Sequence, residues 1–464
     1  MNTPHEKLIN IKDFMYTNRY GMDVLSVKKV KEAIIETGRI CSDGRTLYLY
    51  QEGYFWENLR ERANIRLRQI LFEPTAQAEI DKRTFDKIVA DLIVDTRLLI
   101  KSTELNNSQF INFKNGLYDL SSKKFIDKFV EETKHLRFSY IINAEYIEPA
   151  AAFQQMPAFT KFMEETFHTK PQEIMFDYFL QNIGFLISSV NNLRKAVVFV
   201  GAPASGKSTL ANFLASIIQP SNAVSHVNFQ DLGDKFRSYD VACAKLNIGD
   251  EMNKGKARNL ANFKSLTAGE PVVIERKGRD PLWVLPNVRQ IYCTNYLPTF
   301  DDGNAMAIFD RLNIVPFKKT VDEKSRDYQL PEKLWKEKNA ILSRAIEKFA
   351  EVLDNNGCFS VPNEIKNCKE RYITQENSVG EFIEACLVED IKAKGIGSVE
   401  LFQLYSTFCY TNGLNIKSRA DLREGILAYF PSAKYKRTRL SSTKNVQAFC
   451  GISLRKDEPD DSDK

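Results

Sequence analysis

A nine-residue segment near the middle of the chain constrains the fold more than any other feature. Residues 196–200 form a β-branched, apolar run that predicts a buried parallel strand, and residues 210–214 predict a helix. Between them lie Gly201, Ala202, Pro203, Ala204, Ser205, Gly206, Lys207, Ser208 and Thr209. The pattern GxxxxGK[ST] between a strand and a helix is typical of a phosphate-binding loop. We therefore predict an α/β nucleotide-binding domain around it.

Each part of this loop has a chemical reason. The glycines let backbone N–H groups turn towards the phosphates, and the helix N-terminus adds partial positive charge. We expect Lys207 to reach the β- and γ-phosphates and the Ser208 hydroxyl to coordinate Mg²⁺. The sequence therefore predicts ATP and Mg²⁺ as cofactors.

Two further strands after the loop predict the rest of a hydrolytic site. Residues 245–251 read as a strand that ends in two carboxylates: Asp250 to hold Mg²⁺ through water, and Glu251 to orient and deprotonate the attacking water. Residues 290–298 read as a strand that ends at Asn295, which could bond the γ-phosphate or the water, or simply form a turn. Arg311 begins another apolar strand and is a candidate arginine finger for the neighbouring subunit's site, or a partner of Asp310.

These elements, in this order, resemble superfamily 3 helicases, above all the helicase part of phage and plasmid primase-helicases and of poxvirus primase-helicases. Residues 262–270 resemble the additional motif of that family and lead into residues 272–284. In such proteins this region forms a β-hairpin that grips one DNA strand. Arg276, Lys277 and Arg279 flank Gly278 at the expected tip, where they would contact phosphates. A solvated basic turn is the alternative.

The resemblance implies a homo-hexameric AAA+ ring that moves 3′ to 5′ on single-stranded DNA. Two features depart from the family. We find no DxD-type acidic motif before the motor, so we predict no primase activity and expect a separate primase as a partner. The chain also has Asp310 before Arg311, where relatives often have two basic residues.

The chain divides by pattern into six regions. Asn115-Gly116 and residues 46–56 predict two hairpins in the first region, which is similar to the domain that precedes the motor in this family. Residues 399–413 and 418–427 predict helices, followed by a basic strand pair that fits a winged helix. The predicted regions are an α+β N-terminal domain (1–148), a helical collar (149–192), the AAA+ core (193–325), a helical lid or linker (326–376), a C-terminal winged-helix domain (377–455) and an acidic, disordered tail (456–464).

In the predicted winged helix, Lys436, Arg437 and Arg439 are candidate phosphate contacts to an origin duplex, with a solvated strand face as the alternative. The net charge of +5, from 65 basic and 60 acidic residues, neither demands nor excludes nucleic acid. The eight cysteines include no CxxC pair and there are four histidines, which favours reduced, buried thiols over a zinc site. We see no signal peptide and no apolar run long enough to span a membrane, and expect a protein of the bacterial cytoplasm.

The sequence therefore predicts an ATP-dependent replicative DNA helicase of a mobile genetic element: a phage, a plasmid or a genomic island. One alternative is a replication initiator in which ATP switches assembly with little unwinding. Another is a monomeric P-loop enzyme such as a nucleotide kinase, which should lack the basic hairpin and the arginine finger.

Overall fold

The computed structural model describes residues 8–51, 55–59, 62–74, 80–101, 104–127, 136–250, 260–276, 279–297, 305–320, 324, 326–440 and 445–455. The chain forms two compact units. The first comprises residues 1–252, 259–295 and 315–360, and the second comprises residues 253–258, 296–314 and 361–464.

The described residues in the N-terminal part of the first unit form small antiparallel sheets and the α-helices α1 to α3. Its apolar core is formed by residues such as Leu47, Leu67 and Phe85, which are fully buried. Both predicted hairpins are present, as β4 with β5 and as β6 with β7. The elements are β1 (Met15–Thr17), β2 (Asp23–Leu25), α1 (Val27–Glu36), β3 (Ile40–Ser42), β4 (Leu47–Gln51), β5 (Phe55–Asn58), α2 (Ala63–Leu71), α3 (Lys82–Ile93), β6 (Phe110–Asn112), β7 (Gly116–Asp119), β8 (Lys124–Asp127) and β9 (Ile141–Ile142).

Three helices follow: α4 (Pro149–Ala152), α5 (Pro157–Phe167) and α6 (Ile174–Ile187). The apolar stripe of α5 is buried, as its helical spacing predicts. Helix α6 is buried on all sides from Met175 to Ile187, apart from a half-buried Asp177, and packs along a later helix, α12 (Lys338–Asp354). Gly184 allows this close approach, because a Cβ there would lie 2.2 Å from the carbonyl oxygen of Ala345.

A five-stranded sheet organises the centre of the chain, in the order β12, β13, β16, β10, β17. The strand that leads into the phosphate-binding loop is β10, which pairs in parallel with β16, and β16 pairs in parallel with β13. The described elements are β10 (Ala196–Gly201), α7 (Lys207–Ser216), β11 (Ile218–Gln219), β12 (Val224–Ser225), α8 (Lys235–Ala242), β13 (Leu246–Asp250), α9 (Leu260–Ala268), β14 (Val272–Arg276), β15 (Arg279–Val284), β16 (Arg289–Thr294), α10 (Ala305–Phe309), β17 (Leu312–Phe317) and α11 (Leu330–Lys336). The fold class is therefore mixed α/β with a parallel sheet, as predicted.

The second unit has its own apolar core, in which Leu401, Tyr405 and Ile426 are fully buried. The predicted helices and strand pair are present here: Ser418 caps α16 through a capping box, and β20 pairs antiparallel with β21. The elements are α13 (Asn363–Glu376), α14 (Ser378–Cys386), β18 (Leu387–Asp390), β19 (Ile396–Gly397), α15 (Ser398–Asn412), α16 (Arg419–Tyr429), β20 (Lys434–Arg439) and β21 (Asn445–Leu454).

The cysteines are all free thiols, but their burial differs from the prediction. Cys41, Cys293 and Cys409 are buried, whereas Cys358 and Cys368 are exposed. The prediction of buried thiols is wrong for these two, because they lie in polar segments without an apolar run around them. Among the described residues, no helix is both long enough and apolar enough to cross a membrane.

Candidate functional site

The phosphate-binding loop connects β10 to α7 through two residues with left-handed backbone. Ala204 has φ 59° and Gly206, the N-cap of α7, has φ 97°. Two features favour glycine at position 206: the left-handed backbone, and the ring of Phe162, which would lie 3.0 Å from an added Cβ. Gly201 lies against β17, where a Cβ would meet the carbonyl oxygen of Phe317 at 2.2 Å. The loop is thus a tight backbone cradle packed on both sides.

Lys207 is buried at the base of this cradle. Its Nζ donates to the carbonyl oxygens of Gly201 at 2.5 Å and Ala202 at 2.8 Å, and to Asn295 Oδ1 at 3.3 Å. Burial lowers the pKa of the Lys207 ammonium from its usual value. The same side chain therefore joins the loop to the end of the neighbouring strand β16.

The polar residues predicted on separate strands lie at one edge of the sheet. Asp250 ends β13 and is exposed, and its Cα pairs in register with that of Cys293 on β16. Asn295 follows directly after the end of β16. Burial raises the pKa of the Cys293 thiol to about 12, so this cysteine stays neutral beside the loop. Carboxyl ends of parallel strands meet at the same edge, and the structure places Asp250 and Asn295 there with Lys207.

These residues line an open cavity of about 860 Å³. The loop from Pro203 to Thr209 forms one wall, and residues Ala158 to Thr166 of α5 contribute another. Four cationic residues of the lining were not predicted from the sequence, and they come from α5 and from the segment after β17: Lys161, Lys319, Arg326 and Lys333. Only non-local folding brings them to the loop, although the Lys318-Lys319 pair after the arginine strand was a visible charge signal.

Acidic partners hold part of this cationic rim. Glu165 lies 3.8 Å from Lys161 and 3.6 Å from Lys319, and Asp327 accepts a hydrogen bond from Lys333 at 2.7 Å. These contacts are solvent-exposed, so each contributes little to stability. These contacts hold three of the four cations, Lys161, Lys319 and Lys333, at the rim of the cavity.

The predicted Mg²⁺ ligands fit the preferences of that ion. Ser208, in the first turn of α7, and Asp250 both line the cavity and have side-chain oxygen atoms, the ligands that Mg²⁺ prefers. Glu251, the predicted base, lies outside the described residues.

Arg311, the predicted arginine finger, belongs to the second unit. Its Nη1 donates to the carbonyl oxygen of Ala307 at 2.7 Å, one helical turn earlier. The neighbouring Asp310 lies 3.6 Å from the ammonium of Lys369. The Nε atom of Arg311 is buried and has no hydrogen-bond partner among the residues that the structure describes.

The predicted basic hairpin is present as the antiparallel pair of β14 and β15. Arg276 and Arg279 are register partners at its described end, and Lys277 with Gly278 lies outside the described residues. The cations of the basic strand β20 are exposed, but they alternate in direction. Lys436 lies on one face and Arg437 with Arg439 on the other, so the three predicted phosphate contacts do not form one surface.

Two sequence families match separate parts of the chain. Residues 28–168 match the family described as D5 N terminal like, and residues 199–311, which include the phosphate-binding loop, match a family of unknown function, DUF5906. Each covers less than half of the chain. The first match covers most of the N-terminal region, for which the sequence predicts a likeness to the domain that precedes the motor in primase-helicases.

One curated relative is the protein named putative helicase L207/L206 of Acanthamoeba polyphaga mimivirus, 24% identical over 281 residues. The match covers 56% of this chain and 27% of the relative, so the chain spans about a quarter of that protein's length. Apo structures of the NrS-1 C terminal region align over 92% of this chain and 98% of theirs, at 12% identity and TM-scores of 0.41 and 0.43. At these scores the alignments do not establish a shared fold.

Proposed function

We propose that this chain is an ATP-driven replicative DNA helicase of superfamily 3, which assembles as a hexameric ring and serves a virus, phage, plasmid or genomic island. The observation that carries the proposal is the cavity in which the loop lysine, an acidic strand end and an amide strand end face one another. A helicase-named viral relative and the D5 N terminal like match support the choice of a replication motor among P-loop enzymes.

In this proposal Lys207 leaves its carbonyl acceptors when ATP binds and contacts the β- and γ-phosphates instead. Asn295 then bonds the γ-phosphate or the lytic water, since it already lies within 3.3 Å of the same ammonium. Ser208 and Asp250 hold Mg²⁺, which neutralises charge on the phosphates when bound. Glu251 deprotonates the attacking water, and Arg311 enters the site of the neighbouring subunit.

Hydrolysis is converted to strand separation through the basic hairpin of β14 and β15. Each subunit would present its tip residues, Arg276, Lys277 and Arg279, to the phosphates of one strand. Movement in the 3′ to 5′ direction and the hexameric state follow from the family resemblance alone and form part of the proposal. The basic strand β20 would then contact origin duplex.

The test is unwinding of a duplex with either a 3′ or a 5′ single-stranded tail, alongside ATP hydrolysis. Four proteins are compared: the wild type, Glu251→Gln, Lys277→Ala, and Glu36→Gln as a matched control at an exposed acid of α1, outside the cavity. We expect the wild type and Glu36→Gln to unwind only the 3′-tailed duplex. Glu251→Gln should neither hydrolyse nor unwind, and Lys277→Ala should hydrolyse without unwinding.

Two other outcomes would replace the proposal. Hydrolysis by the wild type with no unwinding of either substrate, and with retention of origin duplex, would favour the replication initiator. A monomer in solution that transfers phosphate to a nucleotide acceptor would favour the kinase. Unwinding of the 5′-tailed duplex alone would contradict the proposed 3′ to 5′ direction but would still support a helicase.

A further inference from the structure

The hairpin of β14 and β15 has two faces of different character. Val272 and Ile274 are buried on one face, where helix α8 packs against β14. On the opposite face Val273 pairs in register with Trp283, and both are exposed, by 43% and 70%. Side chains alternate along a strand, so this pair forms one continuous apolar patch.

An indole exposed to this extent is costly to leave in water, since tryptophan is among the residues buried most heavily on average. No ring partner of Trp283 occurs in the part of the chain that the structure describes, whereas Trp56 packs against Tyr50 and Trp335 lies under the ammonium of Lys338. A flat aromatic surface beside a basic segment is the usual platform for unpaired bases.

A side chain in the N-terminal part of the first unit bonds to the backbone of Trp283. Arg45 Nη1 donates to the carbonyl oxygen of Trp283 at 2.9 Å. Arg45 is itself fixed by Asp43, whose carboxylate accepts from Arg45 Nη2 at 2.9 Å and from the Arg45 backbone N–H at 3.0 Å. Tyr48 also donates to Asp43, at 3.3 Å. These bonds fix the strand position while leaving the indole face open.

We propose that Trp283 is a stacking site for a base of single-stranded DNA, with Arg45 as the residue that positions it. The inference rests on the proposed function and adds a contact to bases where the hairpin tip supplies contacts to phosphates. Three cations, Arg276, Lys277 and Arg279, precede Trp283 by at most seven residues, against one acid in the same stretch, Asp280. Their charge complements a nucleic acid strand more than an apolar protein partner.

The chain offers a direct reporter, because it has three tryptophans, Trp56, Trp283 and Trp335. The double variant Trp56→Phe/Trp335→Phe retains Trp283 alone, and Trp56→Phe/Trp283→Phe retains the partly exposed Trp335 as a matched control. Intrinsic fluorescence is recorded during titration with oligothymidylate, without ATP. We expect quenching that saturates with DNA binding in the Trp283 reporter and no change in the Trp335 reporter.

Binding measured by fluorescence anisotropy of a labelled oligothymidylate separates stacking from other contacts. Trp283→Phe should bind nearly as well as the wild type, whereas Trp283→Leu and Trp283→Ala should bind about tenfold more weakly, since they remove the aromatic surface on which a base stacks. Arg45→Ala should weaken binding by a smaller factor, and Arg45→Lys should restore part of it.

If the fluorescence of Trp283 is not quenched although the protein binds the oligonucleotide, the inference is overturned. A Trp283→Leu variant that binds normally but changes its oligomeric state would also overturn it, since Trp283 would then be a subunit contact. ATP hydrolysis by the reporter protein separates the two proposals. Hydrolysis without quenching contradicts the stacking site alone, and quenching without hydrolysis contradicts the motor.

Discussion

Two buried lysines in the first unit show how differently one side chain can be used. Lys207 and Lys245 both have a pKa lowered by burial, and Lys245 far more so. Lys207 contacts carbonyl and amide oxygens at the base of the open cavity of about 860 Å³. Lys245 donates to the carbonyl oxygen of Ser188 and lies 4.7 Å from the ring centre of Tyr140, with Arg289 nearby as a second buried cation.

A buried cation with a perturbed pKa therefore does not by itself mark a functional site. Lys207 has acceptors that a phosphate can replace, in a backbone cradle that can bind that phosphate. Lys245 is satisfied by the protein itself, through a carbonyl, a hydroxyl and an aromatic face. If this view is correct, substitutions at the two lysines should affect different properties.

Removal of Lys207 should have the largest effect on activity. Lys207→Ala is expected to lower the rate of ATP hydrolysis by at least about 100-fold, as for loss of one preorganised donor to developing charge. Its melting temperature should not fall, because the substitution removes a buried cation. Phosphate release measures the rate of hydrolysis, and differential scanning fluorimetry measures the melting temperature. A folded Lys207→Ala variant within tenfold of wild-type activity would contradict the role of Lys207 in hydrolysis.

Asn295 should have the next largest effect. Its Oδ1 lies 3.3 Å from the Lys207 ammonium, so Asn295→Ala should lower kcat by on the order of tenfold, with a smaller change in KM. Steady-state kinetics separates the two constants. A raised KM with unchanged kcat would assign Asn295 to nucleotide binding rather than to the chemical step.

The cradle itself can be tested at Gly206. Alanine there would adopt φ 97° and its Cβ would approach Phe162 to 3.0 Å, so Gly206→Ala should weaken ATP binding by about tenfold. Gly413→Ala is a matched control, since Gly413 has φ 65° and a Cβ added there would meet no atom within 4 Å. The control should lose some stability and bind ATP normally. Calorimetric titration with ATP measures both affinities, and equal losses in the two variants would mean that a general loss of stability, and not the shape of the cradle, weakens binding.

The contrast between the lysines also shows what could be predicted from the sequence. The loop around Lys207 is local: strand, turn and helix follow one another within some 20 residues, and their residue types imply the geometry. Asp250 and Asn295 could be placed with it because both end strands of a parallel sheet. The hairpin signals at residues 46–56 and 110–120 were local in the same way, and both hairpins are present.

Features that depend on distant segments were not predictable. Lys245 begins a predicted strand, and nothing in the sequence indicates that Tyr140 and Ser188 will surround its ammonium. Strands β9 and β11 pair with 75 residues between them. Each has only two residues, which is too few for any periodicity to reveal. The cationic wall of the cavity and the bond from Arg45 to Trp283 join segments that only tertiary folding brings together.

Lys245→Met tests the contrast between the two lysines most directly, although its effect on activity should be the smallest. Methionine retains most of the side-chain length, so hydrolysis should stay within about twofold of the wild type, since no partner is shared with the cavity. The variant should differ in the pH dependence of its stability. Because the folded pKa of Lys245 lies well below its usual value of 10.5, the unfolded chain binds more protons between those two values.

The contribution of Lys245 to the free energy of unfolding therefore rises with pH through that range. The reason is that the unfolded chain, which alone binds the proton there, gradually loses this advantage over the folded state. The free energy of unfolding of the wild type should increase relative to Lys245→Met as the pH rises towards the usual lysine pKa of 10.5, measured by urea denaturation. Other groups that titrate in this range are common to both proteins and cancel to first order. A constant difference across the range would mean that the ammonium is fully compensated by its carbonyl, hydroxyl and aromatic partners. A large loss of hydrolysis in a folded Lys245→Met protein would instead mean that both lysines serve the site.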